Sequence, residues 1–320
     1  MIQISIVIPV FNEEESLPEL TQWISRVMFE HGYSYEIIYI NDGSTDQSWE
    51  VITDLSKHNG NVKAISFTRN YGKSAALDVG FNKADGEVVI TMDADLQDSP
   101  DEIPGLYEMI IDEGYDIVSG WKKERFDPVS KTIPSKFFNG VTSTISGIPL
   151  HDFNCGLKAY KNKVVKNINV YGEMHRYIPL IAKWSGFTKI GEKVVEHRPR
   201  KYGYTKFGME RFINGFLDLI SVSFVNRYKR NPMHFFGVFG ILSFLTGFVI
   251  TVYLIFEKIH GLRNGLFVRE ITDQPMFFLA LVALIIGVQL FLTGFLAEMM
   301  TSNNARRTDY NIEKEINFGS

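Results

Sequence analysis

Val88-Val89-Ile90-Thr91-Met92-Asp93-Ala94-Asp95-Leu96-Gln97 is a β-branched apolar run that breaks into two carboxylates. Glu87 to Met92 reads as a short strand that ends at the carboxylate pair and is buried on both faces. Carboxylates spaced i, i+2 at a strand end can turn toward one point, and the Gln97 side-chain carbonyl follows two residues later. Oxygen ligands of this kind suit Mg²⁺ or Mn²⁺, which keep water and substrate phosphates in their remaining positions. On that reading Asp93, Asp95 and Gln97 hold a metal-bound diphosphate. Acidic residues at a polar strand end also cap the element that follows, so the stretch alone leaves both readings open.

The flanking sequence repeats the same kind of run. Ile4–Val10, Glu36–Ile40, Val62–Phe67 and Asp116–Gly120 are apolar and read as strands. Leu17–Phe29 and Ser48–Lys57 carry helical periodicity between them. Continuous apolar strands alternating with helices predict an α/β fold with a mostly parallel sheet covered on both faces. Ligands of such sheets bind beyond the carboxyl ends of the strands. Phe11-Asn12-Glu13, Asp42 and the Asp93/Asp95 pair all fall at those ends, a convergence independent of the carboxylate spacing. Asp42 can accept a hydrogen bond from a nucleobase N–H; equally, Asn41-Asp42-Gly43 is a turn, with Ser44 to Asp46 capping the next helix. Arg69 to Ser74 opens a helix after the third strand. Lys73 there can favour a phosphate, although an ordinary surface lysine is the preferred reading.

The chain has 320 residues, enough for a sizeable core and a second region. Its net charge of -4 supplies no basic field for nucleic acid. One cysteine, Cys155, excludes an internal disulfide framework. The N-terminus lacks a basic stretch and a small-residue cleavage site and reads as a strand, not a signal peptide. Phe235 to Phe256 and Pro275 to Ala297 contain no charge. Each exceeds the roughly 20 residues that cross about 30 Å of hydrocarbon as a helix; buried core helices are the alternative. The short charged segment between them, Glu257 to Gln274, makes the pair a hairpin with both ends on one side. Arg227, Lys229 and Arg230 before it and Arg306 and Arg307 after it outnumber Lys258, Arg263 and Arg269 in the loop by a modest margin; the missing signal peptide decides the orientation, and the large N-terminal region is expected in the cytosol. Met209 to Asn226 repeats apolar residues at helical spacing (Phe212, Ile213, Phe216, Leu217, Ile220). Such a helix lies in the membrane interface or packs on a core or partner subunit.

These residues carry a family likeness. Val7-Ile8-Pro9-Val10-Phe11-Asn12-Glu13, Asn41-Asp42-Gly43-Ser44-Thr45-Asp46 and Asp93-Ala94-Asp95 resemble a family 2 glycosyltransferase of GT-A fold. Asp152-Phe153-Asn154-Cys155-Gly156-Leu157-Lys158 looks like the acceptor motif of its polyprenyl-phosphate branch. So does His197-Arg198-Pro199-Arg200-Lys201-Tyr202-Gly203-Tyr204-Thr205-Lys206-Phe207. That branch includes dolichyl-phosphate mannose synthase and bacterial enzymes that load undecaprenyl phosphate and often end in two membrane helices. The resemblance implies a Rossmann-like nucleotide-binding half in a GT-A sheet, then an amphipathic helix and a two-helix transmembrane hairpin. The expected divisions are a cytosolic catalytic domain 1–207, a juxtamembrane helix 208–232, membrane helices 233–257 and 275–299 around an external loop 258–274, and a cytosolic tail 300–320.

The resemblance also implies roles. A nucleotide-sugar donor, UDP-sugars favoured, would be held by Pro9, Phe11, Glu13, Asp42, Asp93 and Ala94, with Arg200 and Lys206 closing over its diphosphate. Mg²⁺ or Mn²⁺ would rest on Asp93, Asp95 and Gln97. Asp152 is the candidate base, and Asp95, Arg200 and Lys206 join it as catalytic candidates. Lys122, Arg125, Lys131 and Ser135 are candidates for the acceptor phosphate, with Arg176 as another. The basic stretch from Arg198 to Lys206 can also simply attract anionic headgroups. The expected reaction is inverting hexose transfer to undecaprenyl or dolichyl phosphate by a bacterial inner-membrane protein, assembled as a homo-oligomer, a tetramer by resemblance. Thr205 and Lys122 stand where the family more usually has Ser and Arg. A lysine there lacks the bidentate fork of arginine. The Gln-x-x-Arg-Trp pattern of processive polysaccharide synthases is absent, which argues against a polymerase. Transfer to another lipid acceptor such as a diglyceride, and a non-catalytic membrane scaffold, remain as alternatives.

Overall fold

A computed structural model describes residues 2–123, 139–144, 146–199, 201–202, 232–265, 267 and 269–303, the last three as backbone alone. The chain divides into two compact units, one holding a sheet with its helices and the other two long helices.

The sheet unit runs β1 (Ile4–Val10), α1 (Leu17–Glu30), β2 (Tyr35–Asn41), α2 (Ser48–His58), β3 (Val62–Ser66), α3 (Lys73–Lys83), β4 (Val88–Thr91), α4 (Ile103–Ile111), β5 (Ile117–Trp121), β6 (Lys158–Lys161), α5 (Asn162–Lys166), α6 (Ile178–Trp184) and β7 (Ile190–Val194). The seven strands lie in the order β3-β2-β1-β4-β6-β5-β7. β1 to β4 are parallel, and β6 runs antiparallel between β4 and β5. Side chains alternate across the pleat, so β1 feeds two layers. Ile4, Ile6, Ile8 and Val10 pack with Leu17, Leu20 and Ile24 of α1 and with Ile103 and Leu106 of α4. Val7 packs on the other face with Ala76, Leu77 and Phe81 of α3 and with Ile178 of α6. Each fully buried side chain of this size contributes roughly 1.5–3 kcal/mol.

Strand order fixes the site. The chain winds outward from β1 through β2 to β3, then returns to lay β4 on the other side of β1. The point where winding reverses leaves a crevice beyond the carboxyl ends of β1 and β4. The β1–β4 ladder stops at Val7↔Thr91, with a last bond from the Met92 N–H to the Val7 carbonyl. Pro9, which has no N–H to offer, falls just past that point, where β4 has diverged. At the opposite end of the strands, the buried Glu36 carboxylate accepts from Ser5 Oγ and the Asp85 N–H and pairs with Lys63, tying β1, β2 and β3 together.

The second unit is α7 (Pro232–Arg263) and α8 (Pro275–Asn303). Both are long and apolar enough to cross a membrane. At about 1.5 Å per residue the 32 residues of α7 span about 48 Å, more than the hydrocarbon thickness. Its end therefore passes the expected boundary at 257 and carries Lys258, His260 and Arg263 in polar turns. The helices approach closely at glycines. A Cβ on Gly240 would lie 2.9 Å from the Gly287 carbonyl oxygen, and one on Gly247 2.7 Å from that of Ala280. Ser243 Oγ donates across the seam to the Ala283 carbonyl at 2.8 Å. The outward faces stay uncovered: Phe256 is 67% exposed and Val249 63%. Core helices of a soluble domain would bury those side chains.

Candidate functional site

Three strand ends build the site. Beyond β4, Ala94 and Leu96 turn into the core while Asp93 and Asp95 stay at the crevice. Asp95 Oδ1 accepts the Gln97 N–H at 3.2 Å, and Leu96 takes φ 60°. Beyond β1, Asn12 takes φ 56°. Among the described residues these are the two non-glycine residues with positive φ. Left-handed backbone costs such residues of order 1–3 kcal/mol. Burial of Leu96 is of the same size and offsets the strain on its side. At Asn12 hydrogen bonds do so: its N–H donates to Ser44 Oγ at 3.0 Å, and its Oδ1 accepts the Thr45 N–H at 2.8 Å. Glu13 follows, its N–H on Ser48 Oγ at 3.0 Å. The loops after β1 and β2 are therefore one laced unit.

Asp42 ends β2 and is buried. Its two carboxylate oxygens accept the Tyr71 N–H at 2.7 Å and the Gly72 N–H at 2.9 Å. Burial pushes its carboxyl above the usual range, and those two bonds pull it back. Asp42 thus anchors the start of α3. Each oxygen keeps a second lone pair. Gly43 makes this possible: its φ is +68°, and a Cβ would sit 2.3 Å from the Arg69 carbonyl carbon.

Asp93 lies among cations. The Lys73 ammonium pairs with its Oδ1. Burial opposes ionisation, but Lys73, with Lys122 and His175 further off, overrides it and holds the carboxyl at about 2. The Asp93 N–H reaches Asp98 Oδ2 at 3.4 Å, and Asp98 Oδ1 pairs with Lys122 Nζ at 2.8 Å. Lys122, expected at an acceptor phosphate, thus makes its described ion pair beneath the carboxylate turn. Burial lowers the Lys122 ammonium's proton affinity, and Asp98 more than reverses that. Gln97 faces the segment after β7, accepting the Arg198 N–H on its backbone carbonyl at 3.0 Å and directing Nε2 toward the Arg198 carbonyl at 3.5 Å.

The loop of Asp152 closes the other wall. Thr91 Oγ1 donates to the Gly156 carbonyl at 2.8 Å, and a Cβ on Gly156 would meet Asp93 Oδ2 at 2.5 Å. Asp152 is buried, with Oδ1 accepting the Asn154 N–H at 3.0 Å. Buried Lys158 donates to the Phe153 carbonyl at 3.1 Å and to that of Cys155. Burial pushes the Cys155 thiol up to about 12, so it is no nucleophile near neutral pH. Glu192 of β7 braces the loop. Its Oε1 accepts the His151 N–H at 2.9 Å and the Asp152 N–H at 3.0 Å, while Oε2 pairs with His151 Nδ1 at 2.7 Å. The His151 ring stacks on Trp121 with centroids 4.0 Å apart. Removing this brace in Glu192→Ala is expected to lower kcat by about 10- to 100-fold through misplacement of Asp152, with Glu192→Gln recovering most of it because an amide oxygen still accepts. Steady-state kinetics of the two variants check this; an unchanged kcat in Glu192→Ala means the loop holds itself.

Among the described residues no three His, Cys, Asp or Glu side chains gather as a metal cage. A cation here would rest on Asp93 and Asp95 and take its other oxygens from water and ligand phosphate, the set that Mg²⁺ and Mn²⁺ accept. The site fits that use: an ammonium already stands on Asp93, and Gly156 leaves the carboxylate room. Arg125, Lys131, Ser135, Arg200 and Lys206, and the helix expected over 208–232 up to its last residue, lie outside the described residues. Lys73, Asp98, Gly156 and Glu192 were not singled out as site residues by the sequence. Lys73, weighed for a phosphate at the start of a helix, and Gly156, inside the acceptor-like motif, carried a local signal; Asp98 and Glu192 carried none.

A switch-point crevice with a carboxylate turn after β4 and an anchoring aspartate after β2 is the arrangement that the resemblance to GT-A transferases leads one to expect. The chain belongs to glycosyl transferase family 2, whose model matches residues 5–174. It is similar to dodecaprenyl-phosphate galacturonate synthase of Rhizobium johnstonii, at 34% identity over 99% of this chain and 91% of that one. It is also similar to undecaprenyl-phosphate 4-deoxy-4-formamido-L-arabinose transferase of Pseudomonas aeruginosa, at 33% identity over 98% and 90%. Among solved structures, glucosyl-3-phosphoglycerate synthase of Mycobacterium tuberculosis in complex with Mn²⁺ and UDP-glucose shares the fold, with TM-score 0.52, 19% identity, and 70% of this chain and 78% of that one covered.

Proposed function

We propose that this protein transfers a sugar from a nucleotide-diphosphate donor, a UDP-sugar by preference, to a polyprenyl phosphate at a membrane face. The observation that carries the reading is the carboxylate turn at the β1/β4 switch point, walled by the Asp152 loop, in a chain whose relatives match it through both long helices. Asp93, Asp95 and the Gln97 side-chain carbonyl would hold Mg²⁺ or Mn²⁺. Bound there, the cation would supply Lewis-acid stabilisation of charge on the departing diphosphate. Pro9, Phe11, Glu13, Ala94 and Asp42 shape the nucleotide side, and Arg200 and Lys206 close over the phosphates.

A phosphate monoester with a second pKa near about 6 is largely dianionic at neutral pH and brings its own nucleophilic charge. Asp152 therefore orients the acceptor and the donor sugar's hydroxyls more than it abstracts a proton. Arg125, Lys131 and Ser135, with Arg176, are the proposed acceptor-phosphate group, together with Lys122, which pairs with Asp98 in the ligand-free site. The two long helices cross a bacterial inner membrane as a hairpin with the catalytic unit in the cytosol, and the protein assembles as a homo-oligomer. Purified full-length protein with Mn²⁺ and a panel of UDP- and GDP-sugars is expected to label undecaprenyl phosphate and not diacylglycerol. Label on diacylglycerol would favour a glycolipid synthase. No lipid product with any donor would leave a scaffold.

A further inference from the structure

We infer that Lys73 is a latch on the metal-binding carboxylate: its ammonium holds Asp93 until the cation arrives, then turns onto the donor's diphosphate. The inference rests on the metal-dependent reading above and assigns a positioning residue within it.

The root of Lys73 is fixed on both sides. Before it, the Tyr71 and Gly72 N–H groups are held by Asp42. After it, Ser74 Oγ accepts the His175 N–H at 3.0 Å and contacts His175 Nδ1 at 3.0 Å. Its tip ends on Asp93, and the side chain is 29% exposed, so that ion pair is what the tip must leave. A four-carbon stem on an anchored root can swing its charge without moving the backbone. A divalent cation between Asp93 and Asp95 would face the ammonium as a like charge and drive it off. The tip belongs to the first residue of α3, and a helix N-terminus favours anionic oxygens. The released charge therefore stays beside the incoming phosphates.

One side chain then couples two ligands. Without diphosphate the latch competes with the cation and weakens its binding; with diphosphate the latch has a better partner, and both bind more tightly. Such coupling is reciprocal. It keeps the empty site from trapping a metal ion alone.

The test is titration of the full-length protein in detergent with Mn²⁺, read by electron paramagnetic resonance of free Mn²⁺, and with UDP and GDP in parallel at saturating Mn²⁺. In Lys73→Met, Mn²⁺ alone is expected to bind about tenfold tighter, because a neighbouring positive charge is gone. The nucleotide that binds the wild type is expected to bind about tenfold more weakly. Lys73→Arg, which keeps the charge, is expected to stay near the wild type on both counts. Opposite signs in Lys73→Met support the latch. Both affinities falling together, or neither moving, overturns it while the proposed function stands. Wild-type protein whose Mn²⁺ binding is indifferent to Asp93→Asn and Asp95→Asn overturns the latch and the metal-dependent reading together.

Discussion

Asp95→Asn is expected to lower turnover by about a hundred- to a thousandfold while leaving the fold in place. The asparagine side-chain oxygen still accepts the Gln97 N–H that Asp95 accepts at 3.2 Å, so the turn with Leu96 at φ 60° keeps its brace. The change removes one negative charge from a two-carboxylate site that has no third acidic or imidazole ligand among the described residues. Loss of a preorganised electrostatic group of this kind typically costs about 10²–10³ in kcat. Asp93→Asn is expected to cost as much in turnover and more in stability. The Lys73 ammonium loses its partner, and the carboxylate held at about 2 is gone. The measurement is kcat at saturating Mn²⁺ beside a thermal melt. A melting temperature near wild type with turnover lost is the expected pattern for Asp95→Asn. Turnover within tenfold of wild type would remove the carboxylate turn from the chemistry.

Gly43→Ala carries the second large effect, and it acts through the backbone. A Cβ at this position would lie 2.3 Å from the Arg69 carbonyl carbon and 2.5 Å from the Asn70 nitrogen, at φ +68°. Neither neighbour is a flexible side-chain end, so the Arg69–Gly72 segment must move. The Tyr71 and Gly72 N–H groups then leave Asp42, and a buried carboxylate loses both described acceptor bonds. An unpaired buried charged group and a strained residue together cost about 3 kcal/mol or more. Nucleotide affinity is expected to fall with stability, because the same movement displaces Lys73. Gly32→Ala is the control: its φ is also +68°, but nothing lies within 4 Å of the added Cβ. There the cost is the left-handed backbone alone, about 1 kcal/mol. Thermal melts of the two variants, with UDP binding, separate the contributions. Equal melting temperatures would mean the Gly43–Arg69 approach is not tight.

The first five strands were legible because each is a nearly unbroken apolar run. β1 matched its expected bounds, and β2 to β5 differed by one residue at one or both ends. β6 and β7 were not. Lys158–Lys161 is four residues with a lysine at each end, and Ile190–Val194 carries Glu192 and Lys193 in an edge strand. Neither shows the apolar period that marks a strand, because Lys158 is spent on loop carbonyls and Glu192 on the Asp152 loop. The carboxylate turn and Asp42 were readable from strand-end position, and Asp152 from its motif. Their partners were not: Lys73 meets Asp93 across 20 residues, and Glu192 meets Asp152 across 40. No local pattern announces a contact of that range. The long helices were legible from length and absence of charge, but not the extension of α7 to Arg263, since polar residues at a helix end look like a loop in sequence.

The proposed reaction moves a sugar alone onto a lipid phosphate, with the diphosphate leaving on the nucleotide. The direct measurement is the pair of products from full-length protein, a UDP-sugar, Mn²⁺ and undecaprenyl phosphate, read by mass spectrometry. The expected products are UDP and a lipid carrying one phosphorus and one added sugar. UMP with a lipid carrying two phosphorus atoms would contradict it.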